Sequence, residues 1–306
     1  MIKIITDSAC DINSIRLVYD ENKELVQFAR APLTIHVGDR EFVDDESLDV
    51  AEMMAAIKAY DGATSSACPS PGDWCDAFAG ADEIYVVTIT SSLSGSYNSA
   101  MAARQLELEE HPHKKIHVID TLSAGPEMEL VVERILQEIQ EGRKFDEICE
   151  NIAAYQKSTK LAFVLHSMDN LVKNGRVSKI AGLAASVLGI IVVGRASKKG
   201  ELEMVGKCRG NARTNSSVLQ EMKLQGYDGG HVSITHCFNE KAAEQLRAKI
   251  RQEYPSANIT VSATGGLCSY YAEQGGIMIG YETAAKEFSL SGAFAKQEKE
   301  KGYSEA

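Results

Sequence analysis

Residues Ile84 to Ala100 read IYVVTITSSLSGSYNSA. Ile84-Tyr85-Val86-Val87-Thr88-Ile89 is almost continuously apolar, as a strand covered on both faces requires. Ser91, Ser92, Ser94 and Ser96 crowd the following turn, and Ala100-Met101-Ala102-Ala103 continues as helix. The free N–H groups of a helix start, flanked by serine hydroxyls, make a site for an anion. The turn carries no cationic side chain and no general base. That composition favours holding an oxyanion over breaking a bond.

Strand-like and helix-like runs alternate on both sides of this unit. Ile2–Thr6 reads as a strand ending in Thr6-Asp7-Ser8, with a helix over Ile12–Tyr19. Leu25–Phe28 and Leu33–Val37 read as strands, Gly38-Asp39 as a turn and Ala51–Tyr60 as a helix. Ala63–Gly72 reads as a hydroxyl- and proline-rich loop. Ile116–Ile119 is a strand ending at Asp120-Thr121, and Glu127–Gln140 is a strongly amphipathic helix. Alternation of this kind predicts a mainly parallel sheet with flanking helices. Ligands of such sheets sit beyond the carboxyl ends of the strands. Thr6-Asp7-Ser8, the serine turn and Asp120-Thr121 all lie at such ends and should converge.

The rhythm changes near Ser158. Leu161–Leu165, Ile190–Val193, Glu201–Val205, Val232–Thr235, Ile259–Ala263 and Gly275–Glu282 read as strands, several closely spaced. Ile180–Leu188, Ala212–Leu224 and Glu240–Glu253 read as helices, and a short one passes through Asp169-Asn170-Leu171. The predicted fold class is therefore α/β in two domains. Residues 1–157 form an α/β domain with a mainly parallel sheet and the hydroxyl-rich loops. Residues 158–306 form an α/β or α+β domain with a mixed sheet.

The chain has 306 residues and a net charge of −11. That charge argues against non-specific nucleic-acid binding, which needs a basic face. One basic segment stands against it, from Lys173 through Arg176, Lys179, Arg195, Lys198, Lys199, Lys207 and Arg209 to Arg213. It reads either as a solvated face or as a docking surface for a charged partner. Apolar stretches such as Ala181–Val193 are too short or interrupted for a membrane span. Met1-Ile2-Lys3-Ile4-Ile5 opens directly into a strand pattern, so a signal peptide is not expected. The seven cysteines are scattered, odd in number and without C-x-x-C, as expected for reduced thiols in a cytoplasm.

Other chemistries fit less well. Asp7 and Asp11 suggest a carboxylate metal site, but an Asp-Ser after a strand more often caps a helix. A serine hydrolase needs a base and an orienting acid. The G-x-S-x-G elbow is absent, because Leu93-Ser94-Gly95 lacks the leading glycine, and His166 and His236 are unplaced bases at strand ends. Gly200–Cys208 imitates a P-loop with the wrong spacing and no terminal Ser or Thr. Thr64-Ser65-Ser66, ahead of Pro69-Ser70-Pro71, is a second hydroxyl cluster. It reads as a loop with a helix start at Ser70 or Gly72, or as a second wall of the Ser94 site. Two hydroxyl loops at one cleft would satisfy a buried carboxylate.

Taken in order, these segments resemble the DegV family, the fatty-acid-binding subunits of the bacterial fatty acid kinase system. The resemblance covers nearly the whole chain. It rests on Ile5-Thr6-Asp7-Ser8, the PSPG of Pro69–Gly72, and Ser91-Ser92-Leu93-Ser94-Gly95-Ser96-Tyr97. Asp120-Thr121 with Ser123 and Gly125, LVKNGRVSK of Leu171–Lys179, and Gly206-Lys207-Cys208-Arg209 also fit.

The resemblance implies two α/β domains enclosing a long acyl chain, a cytoplasmic location, no cofactor, and no catalysis by this chain. Its ligand would be a long-chain fatty acid. Its partner would be a fatty acid kinase catalytic subunit that forms the acyl phosphate, with no nucleic acid and at most transient membrane contact. Ser66 and Ser94 would hold the carboxylate, with the Gly95 amide beside them. Thr64 and Ser65 are alternates if the loop is shifted. Arg176 and Arg209 are candidates for partner docking or for closing the carboxylate end. Many members carry a histidine in an H-x-G-P-G segment near the C-terminus. Here that stretch is Ser269–Gly276, and Tyr271 stands at the histidine. A tyrosine donates one hydrogen bond but offers no cation. Glu273 would disfavour an anion nearby and is expected to point away.

Burying a methylene is worth about 0.8 kcal/mol, so a tail of roughly 16 carbons offers on the order of 12 kcal/mol before entropy costs. Apolar residues around Leu183–Val193 and Ile277–Ile279 are candidates to line a tunnel.

Overall fold

The computed structural model describes residues 1–12, 26–177 and 189–284. The expected helices over Ile12–Tyr19 and Ile180–Leu188, Lys179, and the tunnel lining at Leu183–Leu188 fall outside the described residues, the first except for Ile12.

The parallel sheet runs in the order β2 (Val26–Ala31), β1 (Ile2–Asp7), β6 (Glu83–Thr88), β7 (Lys115–Asp120). All three pairings are parallel. The near-continuous apolar runs arise because both faces are covered. Ile4, Tyr85, Val87 and Ile119 pack with α4 (Pro126–Gln140) and α5 (Phe145–Tyr155). Ile5, Ile84, Val86 and Ile116 pack on the other face with α2 (Pro71–Phe78) and α3 (Ser96–Glu110). From β1 the chain moves to β2 on one side and to β6 and β7 on the other. The crevice between the carboxyl ends of β1 and β6 is thus a topological switch point, where such sheets place ligands.

The mixed sheet has the order β10 (Leu202–Cys208), β9 (Ile191–Ala196), β8 (Thr159–Leu165), β13 (Ile277–Glu282), β11 (Val232–His236), β12 (Ile259–Ala263). Only the β11–β12 pair is parallel. Along β8 the side chains alternate between two cores. Ala162 and Val164 face α7 (Asn211–Leu224) and α8 (Glu240–Glu253), while Leu161, Phe163 and Leu165 face the opposite side. Helix α4 packs against β6 of the first sheet and against β8, β11 and β13 of the second. Its start lies so close to β13 that a Cβ at Gly280 would come within 2.5 Å of the Glu127 N and the Pro126 carbonyl.

A third, antiparallel sheet has the order β4 (Arg40–Val43), β3 (Thr34–Val37), β5 (Thr64–Ala67). The expected loop over residues 63–72 is therefore half strand. Thr64–Ala67 pairs residue by residue with Val37–Thr34, and this pairing overrides the loop-like composition. Ser70 starts α2 through a capping box with Asp73. Two helices join those expected. Phe145–Tyr155 is α5, and Gly266–Ala272 is α9, which packs on α1 (Val50–Ala59) and β3. The P-loop imitation lies on β10, a strand, so it offers no phosphate loop.

Candidate functional site: an apolar cavity with a hydroxyl end

The serine turn is held from beneath by Asp7. This buried carboxylate accepts the Ala9 N–H at 3.2 Å, the Ile89 N–H at 2.9 Å and the Ser96 hydroxyl at 2.6 Å. It thereby ties the exits of β1 and β6 to the start of α3. Burial pushes its carboxyl up to about 6, against the pull of these three donors. Ser94 Oγ accepts the Ser96 N–H at 3.2 Å, and no acceptor for its own hydroxyl proton is found among the described residues. Gly95 is the N-cap of α3 and brings no capping side chain. The Ser96 N–H of the first turn goes to Ser94 Oγ, and no capping side chain claims the Tyr97 and Asn98 N–H groups. A Cβ at Gly95 would lie 3.2 Å from Cys68 Sγ, so glycine lets the turn close on the end of β5. Ser99 Oγ fixes the same junction by donating to the Pro69 carbonyl at 2.6 Å.

The second wall comes from β5 and α9. The Ser66 and Tyr271 hydroxyls are 2.8 Å apart, and the Thr64 and Tyr270 hydroxyls are also 2.8 Å apart. Asn174 Nδ2 donates to the Tyr270 hydroxyl at 2.8 Å and Asn170 Nδ2 to the Tyr270 carbonyl at 2.8 Å. Tyr270 is thus locked, and its neighbour Tyr271 is held with it, the two rings meeting edge-on at 4.7 Å. Burial raises the Tyr271 phenol above its ordinary range, with the Ser66 hydroxyl and the Arg176 guanidinium pulling it back. At neutral pH it is a hydrogen-bond donor.

Ser66, Ser94, Gly95 and Tyr271 line one cavity of about 340 Å³. The alternates do not: Thr64 is buried against Tyr270, and Ser65 is exposed on the other face of β5. The remaining wall is mostly apolar, including Leu33, Ile89, Leu161, Phe163, Leu165, Leu267 and Met278. Of the expected lining, Met278 lines the cavity, Val192 packs on the same side without reaching it, and Val193, Ile277 and Ile279 face the opposite core of the mixed sheet. The volume lies at the low end of the range for ligand sites.

The basic segment is divided. Arg176 lines the cavity, and its Nε donates to the Leu93 carbonyl of the serine turn at 3.3 Å. Arg195 is spent on Glu203 and Glu221. Arg209 is exposed at the end of β10, away from the cavity lining. Glu273 points to α6 (Asp169–Lys173), where it accepts the Asn170 N–H at 2.9 Å. Neither His166 nor His236 lines the cavity. His166 packs under Gly275, and His236 Nδ1 accepts the Asn239 N–H at 3.3 Å.

Asp44 has no signal in the sequence and proves to be a positioning residue. It accepts the Gly266 and Leu267 N–H groups, both at 2.8 Å, and Asp11 accepts the Gly265 N–H at 2.8 Å. These two carboxylates anchor the start of α9, the helix that carries Tyr271. Burial raises both, Asp11 to about 6. Asp44 lies close enough to Asp7 and Asp11 to raise them further. No group of three or more carboxylate, histidine or cysteine side chains among the described residues is arranged to hold a metal ion.

Comparison with known sequences follows the same line. The sequence profile of the DegV family matches residues 1–284. The chain belongs to the DegV family. A DegV domain-containing protein of Streptococcus pneumoniae is 48% identical over 280 residues, covering 92% of this chain and 98% of that protein. The crystal structure of the S. pneumoniae fatty acid kinase B3 protein loaded with linoleic acid matches with a TM-score of 0.88 and 47% identity, over 92% of this chain and 99% of that one. A DegV family protein from Eubacterium eligens loaded with heptadecanoic acid matches with a TM-score of 0.87 and 45% identity, over 92% of this chain and 100% of that one. Among the described residues, no helix of this DegV chain is long and apolar enough to cross a membrane.

Proposed function

We propose that this protein is a non-catalytic carrier. It binds one long-chain fatty acid in the cavity and presents the carboxylate to a separate fatty acid kinase, which forms the acyl phosphate in the cytoplasm. The observation that carries this reading is the composition of one cavity. Its walls are mostly apolar, and Ser66, Ser94, Tyr271 and Arg176 are its hydroxyl and charged side chains. The carboxylate would take hydrogen bonds from Ser66 or Tyr271, from Ser94 and from the Gly95 amide, beside the Arg176 charge. Residues 1–157 would supply the two hydroxyl walls. Residues 158–306, a second domain, would supply most of the acyl wall together with Tyr271 and Arg176. The two DegV relatives that carry linoleic and heptadecanoic acid support the ligand class.

Denaturing the purified protein and extracting it into organic solvent for mass spectrometry tests the reading. One long-chain fatty acid per chain is expected. An empty extract, with no binding when fatty acids are added back, would overturn it. Labelling with a fluorophosphonate probe tests the alternative in which a cavity serine is a nucleophile. Clean modification of Ser94 would favour that enzyme over the carrier.

A further inference from the structure

The apolar wall that the mixed sheet gives to the cavity is shaped by one glycine of β9. Met278 of β13 pairs with Phe163 of β8, and Phe163 pairs in turn with Gly194 of β9. Met204 of β10 stands on the other side of Gly194. The row thus carries three large side chains and one gap. Side chains of a strand normally stand roughly perpendicular to the sheet. Phe163 does not. A Cβ built at Gly194 would overlap the Cζ and Cε2 atoms of the Phe163 ring. The ring therefore lies across β9, in the space that any other residue at 194 would occupy. Gly194 is not among the positive-φ residues, so its backbone makes no demand for glycine. Met278 reaches from β13 to the start of α4, where a Cβ at Gly125 would come 2.6 Å from its Cε.

Phe163 and Met278 both line the cavity and are otherwise buried. Packed interiors give a displaced ring few places to go. The cavity is the empty volume beside it. We propose that the Phe163–Gly194 pair determines the bulk of the acyl chain the cavity admits, with Gly194 as the specificity-determining residue. This rests on the fatty-acid reading above. A side chain at 194 lifts the ring into the cavity and removes room for the tail. A smaller residue at 163 adds room.

The test is competition by saturated fatty acids of increasing length against a fluorescent fatty acid, on delipidated protein. Gly194→Ala is expected to weaken the longest acids by about fourfold for each methylene excluded, and to leave shorter ones unchanged. Phe163→Leu is expected to shift the profile toward longer acids. The double variant is expected to return toward the parent profile, because leucine lacks the overlapping ring atoms. A Cβ at 194 would also lie 2.7 Å from the Glu203 carbonyl oxygen. If Gly194→Ala fails to fold, Phe163→Leu decides alone. A parent protein that binds fatty acids, with every folded variant keeping its length profile, would overturn the proposal and leave the carrier intact. A parent that binds none would remove both.

Discussion

The hydroxyls of Ser66 and Tyr271, 205 residues apart in sequence, meet at 2.8 Å on the wall of the cavity. Two hydroxyls in contact share one proton between them, which leaves the other free to donate. The pair therefore has a single hydroxyl proton left to donate into the cavity, whichever oxygen gives it.

Ser66→Ala and Tyr271→Phe are each expected to weaken fatty-acid retention by about ten- to a hundred-fold. A hydrogen bond to a charged group is worth roughly 1.5–3 kcal/mol, and each 1.4 kcal/mol is tenfold. The double variant should cost less than the sum of the two, because the hydroxyls act as one donor. Displacement titration with a fluorescent fatty acid reads this out, with circular dichroism to check the fold. Strict additivity would show that the two hydroxyls serve the ligand independently.

Ser94→Ala removes a donor that has no partner among the described residues and an acceptor that holds the Ser96 N–H. Affinity should fall by about tenfold or more. Thermal stability should change little, because Asp7 still grips Ser96 and Ile89. Calorimetry on the delipidated protein separates the two effects.

Ser94 was legible because a crowd of serines between an apolar run and a helix has few other readings. The parallel sheet was legible for the same reason, since Ile84–Ile89 and Ile2–Thr6 are apolar on both faces. The Thr64–Ser66 cluster was legible as a second wall, but the choice of Ser66 within it came from the family resemblance. Thr64–Ala67 has the composition of a loop and becomes a strand through its ladder to Thr34–Val37, a tertiary effect. Helix α9 is buried on nearly all sides, so Gly266–Ala272 shows no polar face and no period to read. Asp44 and Asn174 act on Gly266 and Tyr270 across 222 and 96 residues. Nothing local encodes such contacts.

Arg176 and Arg209 should part company under substitution. Arg176 lines the cavity and donates to the Leu93 carbonyl, whereas Arg209 is exposed and outside the lining. Arg176→Ala is expected to lower fatty-acid affinity severalfold and to lower phosphorylation by a fatty acid kinase. Arg209→Ala should leave affinity unchanged and lower only the kinase reaction, by raising the half-saturating concentration of this protein. Salt should shrink the Arg209 effect more than the Arg176 effect, because exposed charges are screened. Equal affinities for both variants and the parent would remove Arg176 from the head-group end.

The buried carboxylates make stability fall as pH rises. Burial lifts Glu129 to about 8, with Asp11 and Glu133 adding repulsion and the Ser233 hydroxyl opposing. A carboxyl whose folded value lies above its unfolded one binds its proton more tightly in the folded state. Its contribution is complete below the unfolded value near 4.5 and disappears as pH passes through about 8. His117, His166 and His236 act in the opposite sense, since burial lowers them and the unfolded chain takes up their protons below about 6.5. The window governed by Glu129 therefore lies between about 6.5 and 8. There the unfolding free energy read from urea titrations should rise as pH falls, at up to about 1.4 kcal/mol for each pH unit over which the states differ by one proton. Glu129→Gln keeps an acceptor for Ser233 and carries no proton to lose. It should flatten the profile across that window and raise stability most at its alkaline end. A profile as steep as the parent's would assign the slope to other groups.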